Sequence, residues 1–392
     1  MNLKTKKGRL SQMALRIVIA GGGTGGHLFP GLALAEEFIN VNPETQILFI
    51  SSGNRLEKSV LSKTNFQYRW ITAEGIKGKG FIKKILSAIK IPKGIFESIL
   101  ILKKFSPKLL IGVGSYSSGP VVLAARLLRI HVVLCEQNIL MGITNRILSR
   151  FADRIYVSFK ETKNTTCHNK IRVMGNPVRK SLIKKDSSHK AELGYDDSVE
   201  KKPFTILVIG GSQGANRINI AVTDAAKAMK HNKEFLFIHQ TGIADKAWVK
   251  KTYEQNNIPC IVKSFFDDMH HMYNEADIVI ARAGATTIAE ITALGKCSIL
   301  VPYPFAADNH QEINAQLLAN KGATEIIQQK DLSGALLLSR IEYYASHQDA
   351  VSSKAASAKK MGKPLAAGDI VNDCYKLMYL EDYYQRENDH VS

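Results

Sequence analysis

Short apolar runs alternate with longer stretches of helical periodicity along most of the chain. Such runs are typical of strands buried on both faces, and their alternation with helices predicts βαβ units and parallel sheets. The predicted strands form two series, one at residues 16–20, 47–51, 109–113, 131–135 and 154–157, the other at 204–209, 235–240, 260–263, 278–281 and 298–301. The pattern therefore predicts an α/β protein with two sheets.

Both series open in the same way, with an apolar strand, a glycine cluster and a helix. Residues 17–20 lead into the glycine cluster at 21–26, and residues 206–209 lead into the one at 210–215. We therefore predict two doubly wound Rossmann-like domains that face a cleft, with ligands bound beyond the carboxyl ends of the strands. The predicted organisation is an N-terminal domain at residues 1–175, a C-terminal domain at 176–363, and a final helix at 364–392 that packs back on the N-terminal domain.

The composition supports a soluble globular protein. Of 392 residues, 45% are hydrophobic and 22% are charged, which excludes a disordered, collagen-like or multi-span membrane chain. Residues 17–35 carry no charge, but their six glycines and Pro30 argue against a spanning helix. No apolar segment follows the basic N-terminus early enough to suggest a secretory signal. The five cysteines are far apart and odd in number, which indicates a reducing cytosol and no disulfide framework.

The charge balance indicates an acidic partner. The chain has 53 Lys+Arg against 35 Asp+Glu, a net charge of +18, which suits nucleic acid, a phosphorylated ligand or an anionic lipid surface. Residues 75–108 hold nine lysines against the single acid Glu97 and predict a pair of amphipathic helices. The first has the apolar stripe Phe81, Ile82, Ile85, Leu86 and Ile89, and the second has Ile95, Phe96, Ile99, Leu100 and Leu102. We expect the second stripe to pack on the sheet, whereas the first suits either the core or a membrane surface.

The first glycine cluster satisfies GxGxxG, a weak sign of a dinucleotide site. The second predicted strand ends without the acid that would hold a ribose, which disfavours a nicotinamide or flavin enzyme. No GxxxxGK[ST] motif occurs, so a P-loop NTPase is excluded. His27 lies at the predicted helix start, where it should be neutral and able to accept a proton, or else merely cap the helix. In the second cluster the Ser212 hydroxyl and helix N–H groups suit a phosphate, with a simple tight turn as the alternative.

Two further polar stretches follow strands of the second series. Glu290, early in the helix after residues 282–286, could accept hydrogen bonds from a ribose diol or be an ordinary exposed glutamate. Residues 308–315 form a dense polar set after another strand. They suit either sugar hydroxyls or a capped helix start.

Seven motifs in order now indicate a family. They are residues 22–30, 114–120, 136–138, 144–146, 175–179, 210–215 and 284–290. Together they resemble the MurG-type glycosyltransferases of peptidoglycan synthesis. The resemblance implies the two-domain glycosyltransferase-B fold and an inverting transfer of N-acetylglucosamine from UDP-N-acetylglucosamine to O4 of the muramyl sugar of lipid I, forming lipid II. It implies no metal and no cofactor, because protein groups would balance the charge of the leaving UDP.

The resemblance also implies roles for single residues. His27 would be the general base, with Glu136 the next candidate. Contacts to the two sugars would come from Thr24, Gly25, Gly26, Asn138 and Gln311. The diphosphate would meet Arg179, Ser212 and the loop 283–289, with Ala285, Thr286, Thr287, Ile288 and Ala289. Phe266 would offer main-chain groups to uracil, and Glu290 would hold the ribose.

A lipid acceptor gives residues 75–108 a role in docking the protein on the cytoplasmic face of the cell membrane, beside other proteins of cell-wall synthesis. Three alternatives stay open. They are a transferase with another lipid acceptor, such as a diacylglycerol glucosyltransferase, a UDP-sugar 2-epimerase, and a non-catalytic basic protein that binds membranes or nucleic acid. No recognition-helix, zinc or aromatic RNA-binding motif accompanies the charge, so we expect no nucleic-acid partner.

Overall fold

The computed structural model describes residues 15–75, 81–165, 167–183, 202–211, 214–229 and 234–389, without the side chains of 81–89 and 380–389. The chain forms two compact units. Unit 1 comprises Met1–Lys180 and Leu365–Ser392, and unit 2 comprises Ser181–Pro364.

Each unit is built on one parallel sheet. The strands of unit 1 are β1 (Arg16–Ala20), β2 (Gln46–Ser51), β3 (Gln67–Trp70), β4 (Leu109–Gly112), β5 (His131–Glu136), β6 (Arg154–Val157) and β7 (Ile171–Val173). Those of unit 2 are β8 (Phe204–Ile209), β9 (Phe235–Gln240), β10 (Cys260–Lys263), β11 (Ile278–Ala281), β12 (Cys297–Leu300) and β13 (Glu325–Ile326). The orders are β3-β2-β1-β4-β5-β6-β7 and β10-β9-β8-β11-β12-β13. Strand order therefore reverses beside β1 and β8, where doubly wound sheets bind ligands.

Helices connect the strands. They are α1 (Gly25–Val41), α2 (Arg55–Leu61), α3 (Phe81–Phe105), α4 (Ser118–Leu127), α5 (Ile143–Leu148), α6 (Lys180–Ile183), α7 (Asn216–Ala228), α8 (Lys246–Gln255), α9 (Met269–Glu275), α10 (Ala285–Leu294), α11 (His310–Asn320), α12 (Gly334–Ser346), α13 (Gln348–Met361) and α14 (Ala366–Asp389).

The central strands are apolar throughout because both of their faces are buried. In β1, Ile17 and Ile19 belong to one core cluster of unit 1, and Val18 and Ala20 belong to a second. Successive side chains of a strand point to opposite faces, so one strand supplies two cores. This explains why continuous apolar runs, without alternation, marked these strands in the sequence.

The last helix, α14, packs in unit 1. Ile370, Val371 and Cys374 are fully buried in the same cluster as Ile17. The Tyr156 hydroxyl donates a hydrogen bond of 3.0 Å to Asp373 Oδ2. Residues more than 200 positions apart in the chain therefore share one core.

The sequence pattern missed β3, β7 and β13. Each is the outermost strand of its sheet, and β3 and β7 are half-exposed along their length. An edge strand has one neighbour and mixed burial, so it lacks the continuous apolar run that marks a central strand.

Residues 75–108 differ from expectation in two ways. The predicted pair of helices is wrong, because α3 is one helix with Pro92 inside it; a proline removes one helical hydrogen bond but need not end a helix. Ile95 and Ile99 pack on the core as expected. Phe96 and Leu100 do not, since they are 60% and 54% exposed. Residues 76–80 and the stripe side chains at 81–89 lie outside the described residues.

Candidate active site

The first glycine loop makes a sharp turn between β1 and α1. Gly21, Gly22 and Gly23 have φ of +123°, +153° and +84°, which L side chains rarely adopt. A Cβ added to Gly21 would lie 2.3 Å from the Gly114 carbonyl oxygen. Glycine is therefore required both by the backbone and by the loop that follows β4.

Glu57 of α2 and the N-cap residue of that helix, Asn54, hold this loop from the side, an arrangement we name the Asn54–Glu57 clamp. The fully buried Glu57 accepts hydrogen bonds from Gly23 N at 2.6 Å and Asn54 N at 2.8 Å. Asn54 Nδ2 donates to the Gly23 carbonyl at 2.9 Å, and Asn54 Oδ1 accepts from Glu57 N at 3.0 Å. The same residues form the capping box of α2. The clamp was not predicted from the sequence, although Asn-x-x-Glu at the start of a helix is a recognisable signal.

The clamp places a carboxylate against a glycine-loop N–H that would face the pyrophosphate in a dinucleotide site. Like charges repel, so Glu57 disfavours a phosphate at this loop. The geometry of unit 1 therefore agrees with the missing strand-end acid in disfavouring a nicotinamide or flavin site.

His27 lies in the first turn of α1, half-buried. Its Nδ1 lies 3.2 Å from the Thr24 hydroxyl, at the N-cap of the helix. The other side of the ring lies against Gly114, where an added Cβ would be 2.7 Å from His27 Cδ2. Thr24 and Gly114 together hold the orientation of the imidazole.

Glu136 ends β5 and is 3% exposed. Its Oε1 accepts hydrogen bonds from the main-chain and side-chain nitrogens of Asn138, and its Oε2 accepts from Gly142 N and Asn145 Nδ2, all between 2.9 and 3.2 Å. Burial raises the pKa of the Glu136 carboxyl, and these donors oppose the rise. Glu136 therefore shapes the loop that carries Asn138. Its service as a second base stays a prediction, and one that would require breaking these bonds.

Three buried side chains near the ends of β5 and β7 have polar atoms without a hydrogen-bond partner among the described residues. They are Gln137 Oε1, Asn145 Oδ1 and both terminal atoms of Asn176. An unpaired buried polar atom is costly, so native proteins keep few of them. Gln137, Asn145 and Asn176 lie in the motifs at 136–138, 144–146 and 175–179, from which the sequence already predicted a site.

Arg179 is in unit 1, with its guanidinium 5.0 Å from the centre of the Phe29 ring. Its positive charge also opposes the rise that burial causes in the pKa of Glu36. The stacking on Phe29, which lies two residues after His27, holds Arg179 beside the start of α1. A role of Arg179 toward a diphosphate stays a prediction.

The second glycine loop joins β8 to α7 in unit 2. Gly211 and Gly214 have φ of +86° and +81°. A Cβ on Gly214 would lie 2.1 Å from the Thr241 carbonyl oxygen, so this glycine is required for close packing. Ser212, the predicted phosphate contact, lies outside the described residues.

Residues 285–289 belong to α10, whose N-cap is Gly284. The expected loop at 283–289 is therefore mostly a helix start, a correction that changes which groups can meet a ligand. The side chains of Ala285, Thr286 and Ile288 are 7%, 9% and 1% exposed. The N–H groups of the first turn are what such a helix offers to a phosphate.

Glu290 lies further along α10 and is 8% exposed, so it is no ordinary surface glutamate. The fully buried Tyr273 hydroxyl donates a hydrogen bond of 3.0 Å to Glu290 Oε2. The contact with Tyr273 was not predicted from the sequence, because Tyr273 is on α9 and Glu290 is on α10, and no local motif connects the two helices.

Gln311, on α11, accepts a hydrogen bond of 2.9 Å from Tyr303 N through its Oε1. Its amide nitrogen is therefore the end suited to donate to a sugar hydroxyl. Arg282 donates to the Val301 and Pro302 carbonyls at 3.1 and 3.2 Å and lies 5.4 Å from the centre of the Tyr303 ring. Arg282 thus holds the loop of Tyr303, and the Tyr303 N–H in turn orients the Gln311 side chain.

Phe266, after β10, is 3% exposed. Its N–H donates a hydrogen bond of 3.0 Å to Gln240 Oε1. A nucleobase at this residue would therefore be met by the Phe266 carbonyl oxygen.

Three negative observations concern only the described parts of the chain. No group of three or more His, Cys, Asp or Glu there is placed to hold a metal ion. No helix there has the length and apolar character needed to cross a membrane. The five cysteines are all unpaired.

Comparison with known proteins covers both units. The Glycosyltransferase family 28 N-terminal domain matches residues 17–157, and the Glycosyltransferase family 28 C-terminal domain matches residues 205–370. The UDP-N-acetylglucosamine--N-acetylmuramyl-(pentapeptide) pyrophosphoryl-undecaprenol N-acetylglucosamine transferase of Syntrophus aciditrophicus (strain SB) is 41% identical over 369 residues, 94% of this chain and all of that protein.

Solved structures agree. The crystal structure of Acinetobacter baumannii MurG is similar over 92% of this chain and 99% of that one, with a TM-score of 0.70 and 28% identity. The UDP-GlcNAc 2-epimerase of Neisseria meningitidis has a TM-score of 0.64 at 15% identity over 93% of this chain and all of that one, which shows a shared fold alone. The prediction of two Rossmann-like sheets is confirmed. The chain therefore belongs to the MurG-type transferases of glycosyltransferase family 28 and has their glycosyltransferase-B fold.

Proposed function

We propose that the protein transfers N-acetylglucosamine from UDP-N-acetylglucosamine to O4 of the muramyl sugar of lipid I, with inversion at the anomeric carbon, and so makes lipid II. The observation that carries this proposal is the 41% identity, along 94% of the chain, to a transferase whose name specifies both substrates.

His27 is the general base of the proposed reaction. It takes the proton of the acceptor hydroxyl as that oxygen attacks the anomeric carbon and UDP leaves. The contact of Nδ1 with Thr24 and the packing against Gly114 support this role, because a base must be held in one orientation. Thr24, Gly25 and Gly26 would line the site around it. Asn138, whose loop Glu136 shapes, would bond the donor sugar.

The donor nucleotide meets groups of several loops in the proposal. Glu290 accepts hydrogen bonds from the ribose hydroxyls, with its carboxylate oriented by Tyr273. The N–H groups at the start of α10, together with Arg179 and Ser212, balance the charge of the diphosphate. The Phe266 carbonyl accepts from uracil, and the Gln311 amide donates to the N-acetylglucosamine hydroxyls.

The test follows a radiolabelled sugar. With UDP-N-acetylglucosamine and lipid I, label should enter the lipid, and without lipid I no product should form. His27→Ala should lower turnover by about 10²–10⁴-fold with little change in UDP affinity. His168→Ala is the matched control, because His168 is exposed and its Nδ1 also lies 3.2 Å from a threonine hydroxyl three residues earlier. Epimerised nucleotide sugar without acceptor, or full activity of His27→Ala, would contradict the proposal.

We propose further that the protein docks on the cytoplasmic face of the cell membrane through α3. Phe96 and Leu100 lie one turn apart and are more than half exposed. Lys93, Lys103 and Lys104 are exposed on the same helix. A lysine near an anionic surface contributes about 1 kcal/mol, so a few of them with two inserted apolar side chains support reversible docking.

Vesicle sedimentation tests the docking. Phe96→Ser with Leu100→Ser should reduce binding to phosphatidylglycerol vesicles and slow the use of vesicle-embedded lipid I, while a short-chain soluble acceptor is used normally. Leu365→Ser is the control, since Leu365 is 72% exposed at a distant point of the chain. If vesicle binding changes neither with the salt concentration nor with the α3 substitutions, the docking surface lies elsewhere.

A further inference from the structure

Gln240 is the last residue of β9, the strand that lies between β8 and β10 in the sheet of unit 2. The strand β8 leads into the glycine loop at 210–214, and β10 leads into the loop of Phe266. Neighbouring strands are about 4.8 Å apart, so a long side chain at the end of the middle strand can reach the loops on both sides.

The Gln240 side chain makes a hydrogen bond to each of these loops, and we name this pair of contacts the Gln240 bridge. Its Nε2 donates to the Gly211 carbonyl at 3.3 Å, and its Oε1 accepts from Phe266 N at 3.0 Å. The side chain is 3% exposed. A carboxamide carries a donor and an acceptor at one end, which is what bridging a carbonyl and an N–H requires.

The residues beside the bridge are held equally firmly. The Thr241 carbonyl accepts a hydrogen bond of 3.0 Å from Asn219 Nδ2 and packs against Gly214. Thr241 N and Gly242 N donate at 3.1 Å to the carbonyls of Lys263 and Ser264. The bridge is thus part of a packed junction and has little freedom to follow a displaced loop.

We infer that Gln240 is a positioning residue for the donor nucleotide. It holds Gly211, which precedes the proposed diphosphate contact, and Phe266, the proposed contact of the base, at one fixed separation. The inference rests on the proposed function, because it takes both loops to contact UDP. Gln240 itself touches no reacting atom; it acts through the two loops.

Two substitutions separate the two contacts. Gln240→Leu removes both, whereas Gln240→Glu keeps an acceptor for Phe266 N–H and loses the donor to Gly211. In Gln240→Leu we expect KM for UDP-N-acetylglucosamine to rise about 10-fold or more, with KM for lipid I unchanged and kcat within about threefold. The preference for UDP over UMP and that for UDP over CDP should both shrink. Gln240→Glu should keep the preference for UDP over CDP.

Competition by UDP, UMP and CDP against the full chain measures these preferences, with thermal unfolding as a check of folding. Gln255→Leu, the same substitution at an exposed residue of α8, should leave every value unchanged. If Gln240→Leu does not fold, Gln240→Met keeps the side-chain length without the amide and takes its place. Wild-type preferences in a folded Leu or Met variant would overturn the inference, as would an equal loss of base preference in Gln240→Glu. Failure of the wild type to bind UDP would instead reject the proposed function.

Discussion

Replacing Glu57 with glutamine tests whether the Asn54–Glu57 clamp holds the first glycine loop. The substitution keeps the size of a side chain that is fully buried. In the wild type, Gly23 N–H and Asn54 N–H donate to Glu57 at 2.6 and 2.8 Å. The glutamine keeps one acceptor oxygen but turns an NH2 group toward one of these two donors. One charge-assisted hydrogen bond is lost, and one buried N–H faces another donor.

The size of the effect follows from these two changes. A hydrogen bond to a charged group contributes about 1.5–3 kcal/mol, and an unsatisfied buried donor costs about 1–3 kcal/mol. The two overlap, because they concern the same N–H, so we expect unit 1 to lose about 2–4 kcal/mol of unfolding free energy. Turnover should fall as well, because Gly23 leads directly into Thr24 and His27.

The assay uses the two tryptophans of the chain, one in each unit. Trp70 packs against Gly53, next to Asn54, so in a Trp248→Phe background its fluorescence in urea reports the unfolding of unit 1. Glu44→Gln is the control, since Glu44 is exposed and the chemical change is identical. A loss below about 0.5 kcal/mol, the usual range of surface substitutions, would refute the reasoning. So would a Glu57→Gln variant with normal turnover despite a destabilised unit 1.

Two further predictions concern residues of the site, Gly114 and Glu290, and a third concerns His239, a fully buried residue of β9. Gly114→Ala puts a Cβ 2.7 Å from His27 Cδ2, so turnover should fall at least about 10²-fold, while the UDP affinity measured by calorimetry stays unchanged. Gly119→Ala is the control, because a Cβ there meets nothing within 4 Å. Equal turnover of the two variants would contradict the placement of the His27 ring against Gly114. Glu290→Ala should weaken UDP binding by about 1.5–3 kcal/mol per lost hydrogen bond, and equal inhibition of the wild type by UDP and 2′-deoxy-UDP would reject the ribose contact. Burial lowers the pKa of His239 to about 3, so protonation favours the unfolded chain. As the pH falls from about 6.5 to about 3, the unfolding free energy of unit 2 should therefore decrease by about 1.4 kcal/mol for each pH unit. Trp248 fluorescence in a Trp70→Phe background measures this slope, which should become shallower in His239→Gln; an unchanged slope would assign it to other groups.

The apolar pattern predicted the central strands well because the burial of both faces is a local property of each strand. The bounds predicted for the central strands β1, β6, β8, β9 and β11 are those observed, and so are those of one edge strand, β10. Edge strands such as β3 failed this test, since their character depends on having one neighbour rather than two. The expectation of two helices in residues 75–108 failed because two apolar stripes were assigned to two helices, whereas one helix, α3, runs through Pro92 from the first segment to the second.

Within the site, the sequence by itself determined where the chain turns closely and which residue types surround those turns. Positive φ and close packing demand glycine at positions such as Gly23 and Gly214, and that demand is visible in any single sequence.

Only the tertiary structure decided what holds those turns in place. Glu57 reaches Gly23 across 34 residues, Tyr273 reaches Glu290 from another helix, and Gln240 joins loops of both neighbouring strands. Such contacts are set by strand order and by the reach of single side chains, and neither leaves a periodicity in the chain. A local conformational requirement is therefore written at its own position, whereas a supporting contact exists only once the parallel sheet has brought distant strand ends to the same edge.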